Sequence, residues 1–349
     1  MVRLRIPEPV SGGILLTYKC TNECKHCMYA CSPRWNGDWI KLEDAEKILK
    51  NLSAAFRKRY PRNFTQVGVN LGLHFTGGEP FLNFDLLLRL VKLADKLEIP
   101  SIFVETNCFW CINDEVTVEK LQKLREAGLD GILISANPFV IEQIPFERIE
   151  RAVKISKRIF GANTIVYQEL FYNQMKMINL KGTLPFEDYL SLMRDVDPFG
   201  LNVGLSYPSM LPMGRITYRL SHLYKRYPAK RFFKENCLGE LTREWHVHID
   251  NYCNYITGYC AGISLGDARR LDRLCREGIE LEDHPIIEKL VSPRGLGKLF
   301  EYASKEYGYK ERREGYISKC HLCLDIRKHI IEQTDEFREL KPKDFYRYL

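Results

Sequence analysis

Between Tyr18 and Trp35 the sequence reads YKCTNECKHCMYACSPRW, which puts Cys20, Cys24, Cys27 and Cys31 within twelve residues. The first three are spaced C-x3-C-x2-C. A structural zinc site takes four ligands. Three thiolates on one loop can hold three irons of a 4Fe–4S cube and leave the fourth iron open to another molecule. Two other readings stay open: Cys31 as a fourth ligand, which makes the cluster a plain electron carrier, or a zinc knuckle. A second stretch, FTGGEP (Phe75–Pro80), pairs two glycines with an acid. Glycines let backbone approach a ligand closely, and Glu79 is able to accept from an ammonium group. The remaining cysteines are Cys108 and Cys111, then Cys237, Cys253, Cys260, Cys275, Cys320 and Cys323.

The elements that must position these residues follow from hydrophobic period. GGILLTYKC is a short apolar strand leading into the cysteine loop, and QVGVNLGLHFTGGEP is a buried strand ending at the Gly–Gly turn. PSIFVETN, DGILISAN, NTIVYQELF and GLNVGLSYP read as four further strands. LEDAEKILKNLSAAF, FDLLLRLVKLADKLEI, VTVEKLQKLREAG, PFERIERAVKISKRIFG and FEDYLSLMRDVD read as helices. Alternation of this kind implies parallel strands with helical crossovers. Six strands are too few for an eight-unit barrel. The expected fold is α/β, a partial (β/α)6 TIM-like barrel, with ligands beyond the C-terminal strand ends. Cys20, Gly77, Gly78, Glu79, Asn107, Ser135, Asn137 and Gln168 all fall there. Residues 1–211 are assigned to this core. Residues 212–236 form a connector with seven Lys/Arg against one acid. Residues 237–349 form a small domain with six cysteines, closing on a helix behind Cys320 and Cys323.

A C-x3-C-x2-C loop after the first strand, followed by Gly-Gly-Glu after the second, resembles the radical SAM superfamily. The resemblance spans roughly residues 12–210. It implies that Cys20, Cys24 and Cys27 hold a 4Fe–4S cluster and that Gly77, Gly78 and Glu79 hold the amine of S-adenosylmethionine. It makes Asn107 and Ser135 candidates for the ribose and carboxylate, with Gln168 a weaker one. It also places His26 near adenine, where the family usually has another aromatic residue. The implied activity is reductive cleavage of S-adenosylmethionine to a 5′-deoxyadenosyl radical, which abstracts hydrogen from a peptide or small-molecule substrate. An electron donor such as ferredoxin or flavodoxin follows from that chemistry.

The C-terminal third resembles the auxiliary-cluster extensions of the same superfamily, of the SPASM and twitch type. HVHIDNYCNYITGYCAGISLGD carries the strand, turn and cysteine, although Cys253 stands where the turn has glycine. The resemblance implies one auxiliary 4Fe–4S cluster on Cys237, Cys260, Cys320 and Cys323, with Cys260 preferred to Cys253 because CAGISLGD keeps its flanks. Four-thiolate zinc is the alternative. Cys275 reads as a buried helix thiol, and Cys108 and Cys111 receive no role. His246 and His248 straddle one strand residue and so share a face.

Composition limits the remaining classes. The chain has 349 residues and is 45% hydrophobic, ample for a packed core. No apolar run approaches the ~18 residues of a membrane span, and the N-terminus lacks a signal-peptide core. A cytoplasmic enzyme without a membrane partner is expected. Twelve cysteines in such a protein point to metal or catalysis rather than disulfides. A formal charge of +7 permits an anionic partner without demanding one. The alternatives are a radical RNA-modifying enzyme that uses the basic connector, and a non-enzymatic metal-stabilised binding protein.

Overall fold

A seven-stranded sheet carries the molecule. The computed structural model describes residues 2–349. The chain enters with β1 (Ser11–Leu15), passes through the cysteine loop to α1 (Leu42–Phe56), and returns as β2 (Gly72–Thr76). Then come α2 (Phe84–Lys96), β3 (Ile102–Thr106), α3 (Asp114–Glu126), β4 (Gly131–Ser135), α4 (Phe146–Phe160) and β5 (Thr164–Tyr167). In α1 the buried residues Ala45, Ile48, Leu49, Leu52 and Phe56 recur at helical spacing and face the sheet. Side-chain caps start the next two helices: Asn83 accepts from the Leu86 amide at 3.1 Å and Asn113 from the Val116 amide at 2.8 Å. Strands β1 to β5 pair in parallel with their sequence neighbours, so every cysteine or glycine turn after a strand opens on the same edge.

Two expectations about strands need correction. Residues 66–71 are not part of β2. The Leu71 amide donates to the Gly68 carbonyl at 2.9 Å, and Gly72 sits at φ +52°, so a turn precedes the strand. The sixth strand expected at 200–208 is a helix. After α5 (Glu169–Met177) and α6 (Phe186–Val196), α7 spans Pro198–Leu205. Asp197 caps it, accepting from the Gly200 amide at 3.0 Å, and Pro198 opens its first turn. Apolar residues at 201, 203 and 205 fit a strand, but Leu201 and Leu205 also fit a helix. Gly204 lies so close to Phe171 that an added Cβ would meet the ring at 2.5 Å.

The sixth parallel partner comes from the C-terminal part. β6 (Val247–Ile249) pairs in parallel with β1, and β7 (Tyr255–Ile256) pairs antiparallel with β6. The sheet order is β5-β4-β3-β2-β1-β6-β7, and it stays open among the described residues. The C-terminal part continues with α8 (Leu271–Glu277), α9 (Pro285–Val291), α10 (Gly295–Tyr307) and α11 (Lys319–Ile331). Arg3–Leu4 pairs antiparallel with Ile279–Glu280. No helix among the described residues is long and apolar enough to cross a membrane.

Candidate active site and metal centres

The cysteine loop leaves β1 and folds over the C-terminal edge of the sheet. Cys20, Cys24, Cys27 and Cys31 line one cavity of about 220 Å³ together with His26, Gly77, Gly78, Glu105, Asn107, Ser135 and Gln168. None of the four cysteines is in a disulfide. Burial pushes the Cys20 thiol up to about 12, and burial likewise drives Cys24 well above its ordinary value. A hydrogen bond with Cys31 brings Cys27 down to about 6. The Cys31 amide donates to Cys27 Sγ at 3.3 Å, and the Asn107 amide group to Cys20 Sγ at 3.6 Å. Buried sulfurs that receive N–H donors suit thiolate ligands of a metal group.

The Gly-Gly-Glu turn is zipped onto the start of this loop. The Gly78 amide donates to the Thr17 carbonyl at 2.7 Å and the Glu79 amide to the Lys19 carbonyl at 3.1 Å. A Cβ on Gly78 would lie 1.9 Å from the Lys19 carbonyl oxygen, so glycine is needed for backbone-to-backbone packing as well as for access to the cavity. Glu79 ends the turn. It is fully buried and absent from the cavity lining. Its Oε1 accepts from Thr106 Oγ1 at 2.9 Å and the Phe81 amide at 3.2 Å, and its Oε2 accepts from the Asn107 amide at 2.8 Å. The carboxylate therefore ties the turn to the end of β3. Burial lifts it to about 7 despite these donors. The Asn107 side chain is also engaged, donating to Thr21 Oγ1 at 2.9 Å. Ser135 stands at the end of β4 on the cavity wall. The His26 ring stacks on Phe139 with centroids 4.6 Å apart, and burial lowers it to about 4, so it is a flat neutral surface at neutral pH.

The second thiol set also converges. Cys237, Cys260, Cys320 and Cys323 line a small cavity with Tyr259, Ala261, Arg327 and Phe345. Cys320 and Cys323 lie in the first two turns of α11. Cys253 lies elsewhere, in a groove with Asn254, Arg269 and Arg273. Burial pushes Cys260 and Cys320 up to about 12. Buried Arg327 donates to the Ala261 carbonyl at 3.0 Å and to Tyr346 Oη at 2.7 Å, which holds a cation beside the thiols. Cys275, in α8, donates to the Pro7 carbonyl at 3.5 Å, and Cys108 and Cys111 are both fully buried.

Comparison with known proteins bears on the segment that carries the first cysteine loop. Residues 14–166 match the radical SAM superfamily. The matched segment runs from β1 to β5. The curated relatives are named GTP 3′,8-cyclase. The mitochondrial protein of Arabidopsis thaliana is 24% identical over 269 residues, 71% of this chain and 62% of its own length. That of Clostridium acetobutylicum is 25% identical over 203 residues, 58% and 56% of the two lengths. The chain thus spans little more than half the length of the curated relatives it matches. Among solved structures, anSMEcpe with bound AdoMet aligns at TM-score 0.46 and 12% identity, over 93% of this chain and 98% of that one. BtrN in complex with AdoMet and 2-DOIA aligns at TM-score 0.40 and 13% identity, over 86% and 91%.

The first site has two contributors that the sequence reading did not single out. Arg215, counted in the basic connector, is 1% exposed. Its guanidinium donates to the carbonyls of Cys24 at 2.8 Å, Cys31 at 3.0 Å and Tyr348 at 2.9 Å, and its own amide donates to the Cys27 carbonyl at 3.0 Å. Neighbouring Gly214, at φ +63°, packs against Met28, where a Cβ would lie 2.5 Å from the carbonyl oxygen. The signal was a lone Met-Gly-Arg after the barrel, too short to recognise. Glu105, near the end of β3, lines the cavity and accepts from Thr76 Oγ1 at 2.6 Å; burial raises it to about 7. Its strand position was visible in the sequence, but nothing there marked it as cavity-facing.

Proposed function

We propose that this radical SAM enzyme binds a 4Fe–4S cluster through Cys20, Cys24 and Cys27, binds S-adenosylmethionine beside it, and abstracts hydrogen from a peptide or small-molecule substrate. The observation that carries the reading is that three unpaired thiols and the Gly77–Gly78 turn line one cavity at the C-terminal strand edge. When bound, these groups supply reductive C–S cleavage and hydrogen-atom abstraction, chemistry that belongs to the cofactor. The chain supplies position. The backbone of Gly77 and Gly78 faces the amine, with Glu79 fixing the turn from behind. Ser135 offers a hydroxyl to the ribose or carboxylate, and the neutral His26 ring offers a face to adenine. Arg215 holds the cysteine loop closed and keeps a positive charge beneath an anionic cluster.

Cys237, Cys260, Cys320 and Cys323 are the ligands of an auxiliary cluster in this reading. A single zinc would draw its sulfurs to about 3.8 Å from one another. Among the described residues neither thiol set forms a group compact enough for one ion, whereas three histidines do. That favours a multi-iron cluster over zinc at both sites. A small redox protein, a ferredoxin or flavodoxin, is the proposed electron donor. The cavity lining contains no Lys or Arg among the described residues, and it contains Glu105. A polyphosphate finds no counter-charge there, so a neutral or cationic substrate group fits better than the nucleotide in the relatives' name. RNA is the weaker alternative, since Arg215 of the connector is committed to the cysteine loop.

The test is anaerobic incubation of the reconstituted chain with dithionite and S-adenosylmethionine. The reading expects 5′-deoxyadenosine, and expects deuterium to enter it from a labelled substrate. No 5′-deoxyadenosine from a chain carrying both clusters would overturn it.

A further inference from the structure

A second donor set lies within the sheet's inner face and is independent of either cysteine group. His74 on β2, Gly13 on β1 and His248 on β6 share one register row across three adjacent parallel strands. Gly13 has no side chain, and the His74 ring fills its place: a Cβ there would lie 2.2 Å from His74 Nε2. The two rings therefore meet over the glycine, with Nε2 to Nε2 at 3.2 Å. His246 joins them from the residue before β6. Its backbone is held at φ +53°, uncommon for a residue other than glycine, and its amide donates to Ser11 Oγ at 2.9 Å. Its Nδ1 bonds the Val69 carbonyl at 2.6 Å, which leaves Nε2 free. One nitrogen from each ring lies within 4.8 Å of the others. Glu105 Oε1 is 3.7 Å from His74 Nε2.

Hydrogen bonds account for only part of this arrangement: His74 Nε2 pairs with His248 Nε2, and His246 Nδ1 with the Val69 carbonyl. His74 Nδ1 and His248 Nδ1 are buried and have no partner. The hydroxyl of Tyr29, whose ring packs 5.1 Å from His248, is also unpartnered. Three imidazoles crowded in the interior, each with one nitrogen close to those of the other two, form a donor set that a bound ion would hold together. Two nitrogens at 2.0–2.1 Å from one tetrahedral ion stand about 3.3 Å apart, and the His74–His248 spacing matches this. His246 is only partly buried, the most accessible ring of the three.

We propose that His74, His246 and His248, with Glu105 as fourth donor, bind a divalent transition-metal ion of the zinc type. Imidazole with one carboxylate suits zinc and its neighbours better than magnesium or calcium. The ion lies one layer beneath the cavity floor, since Thr76 and Glu105 line that cavity and His74 is two residues below Thr76 on the same strand face. It would fix the Glu105 carboxylate at the floor.

The experiment uses the cluster-reconstituted chain, treated with zinc chloride and desalted. Zinc per chain and the zinc X-ray absorption fine structure are then measured. The proposal expects about one zinc with a nitrogen/oxygen shell near 2.0–2.1 Å, rather than sulfur near 2.3 Å. H246A, at the least buried ring, is expected to weaken zinc retention at least tenfold while iron content and the melting temperature of the zinc-free chain stay unchanged. The buried double variant H74Q/H248Q should retain none. No retained zinc, a sulfur-only shell, or unchanged retention in H246A would overturn the proposal. Iron content and 5′-deoxyadenosine, measured on the same samples, report on the radical reading separately.

Discussion

Replacing Arg215 with Met should cost about 3–5 kcal/mol and loosen the first cluster. The guanidinium makes three bonds of 2.8–3.0 Å to carbonyls of Cys24, Cys31 and Tyr348. Hydrogen bonds to charged groups contribute about 1.5–3 kcal/mol each, so their gross sum is about 4.5–9 kcal/mol. Burying the guanidinium offsets several kcal/mol of that. Methionine fills much of the volume but leaves three loop carbonyls unpaired. For 349 residues the unfolding entropy is about 0.7 kcal/mol/K near the melting temperature. The expected fall in melting temperature is therefore about 4–7 °C, measured anaerobically by circular dichroism on the iron-free chain. Iron per chain after reconstitution should fall toward the content of the auxiliary site alone. An R215M chain that melts at the wild-type temperature and keeps its full iron would refute the reasoning, because the loop would then hold its shape without the cation.

Three further outcomes follow from single contacts. G78A forces a Cβ to within 1.9 Å of the Lys19 carbonyl oxygen, so it should lose about 1–3 kcal/mol of stability and weaken S-adenosylmethionine binding, checked by melting and equilibrium dialysis. C260A should lose about four irons per chain while C253A loses none, since only Cys260 shares a cavity with Cys237, Cys320 and Cys323; equal loss from both would move the ligand assignment. Burial raises Asp130 to about 6 from an ordinary 3.8, while it accepts from the Ile102 amide at 2.8 Å. The folded state thus binds the extra proton between those values, and its stabilising effect is lost as pH rises through about 6. D130N, which keeps the acceptor, should therefore gain melting temperature relative to wild type between pH 5 and 7, and a flat difference would contradict the shift.

Much of the fold was legible because period and capping agreed with the tertiary structure. The five parallel strands β1 to β5 and their crossover helices lie where alternating apolar runs place them. The error at residues 198–205 arose where strand and helix periods both fit, and the Asp197–Pro198 start and the contact of Gly204 with Phe171 decided for the helix. The parallel pairing of β6 with β1 joins residues more than 230 positions apart, and no local pattern announces it. At the site, cysteine spacing pointed to the first thiol set, and the resemblance to auxiliary-cluster extensions pointed to the second. Side-chain direction was less accessible. That Glu79 accepts from Thr106 and Asn107 at the end of β3 was not legible from the Gly-Gly-Glu motif. The meeting of His74 with His248 depends on Gly13, a residue that carries no chemistry of its own.

The account rests most directly on what the first three cysteines hold. Iron and sulfide per chain, with 5′-deoxyadenosine after dithionite and S-adenosylmethionine, should be measured anaerobically for the wild type and the Cys20→Ala/Cys24→Ala/Cys27→Ala variant. About eight irons in the wild type, about four in the variant, and 5′-deoxyadenosine from the wild type alone are expected. Zinc in place of iron at the thiol sites, with no 5′-deoxyadenosine from either chain, would contradict it.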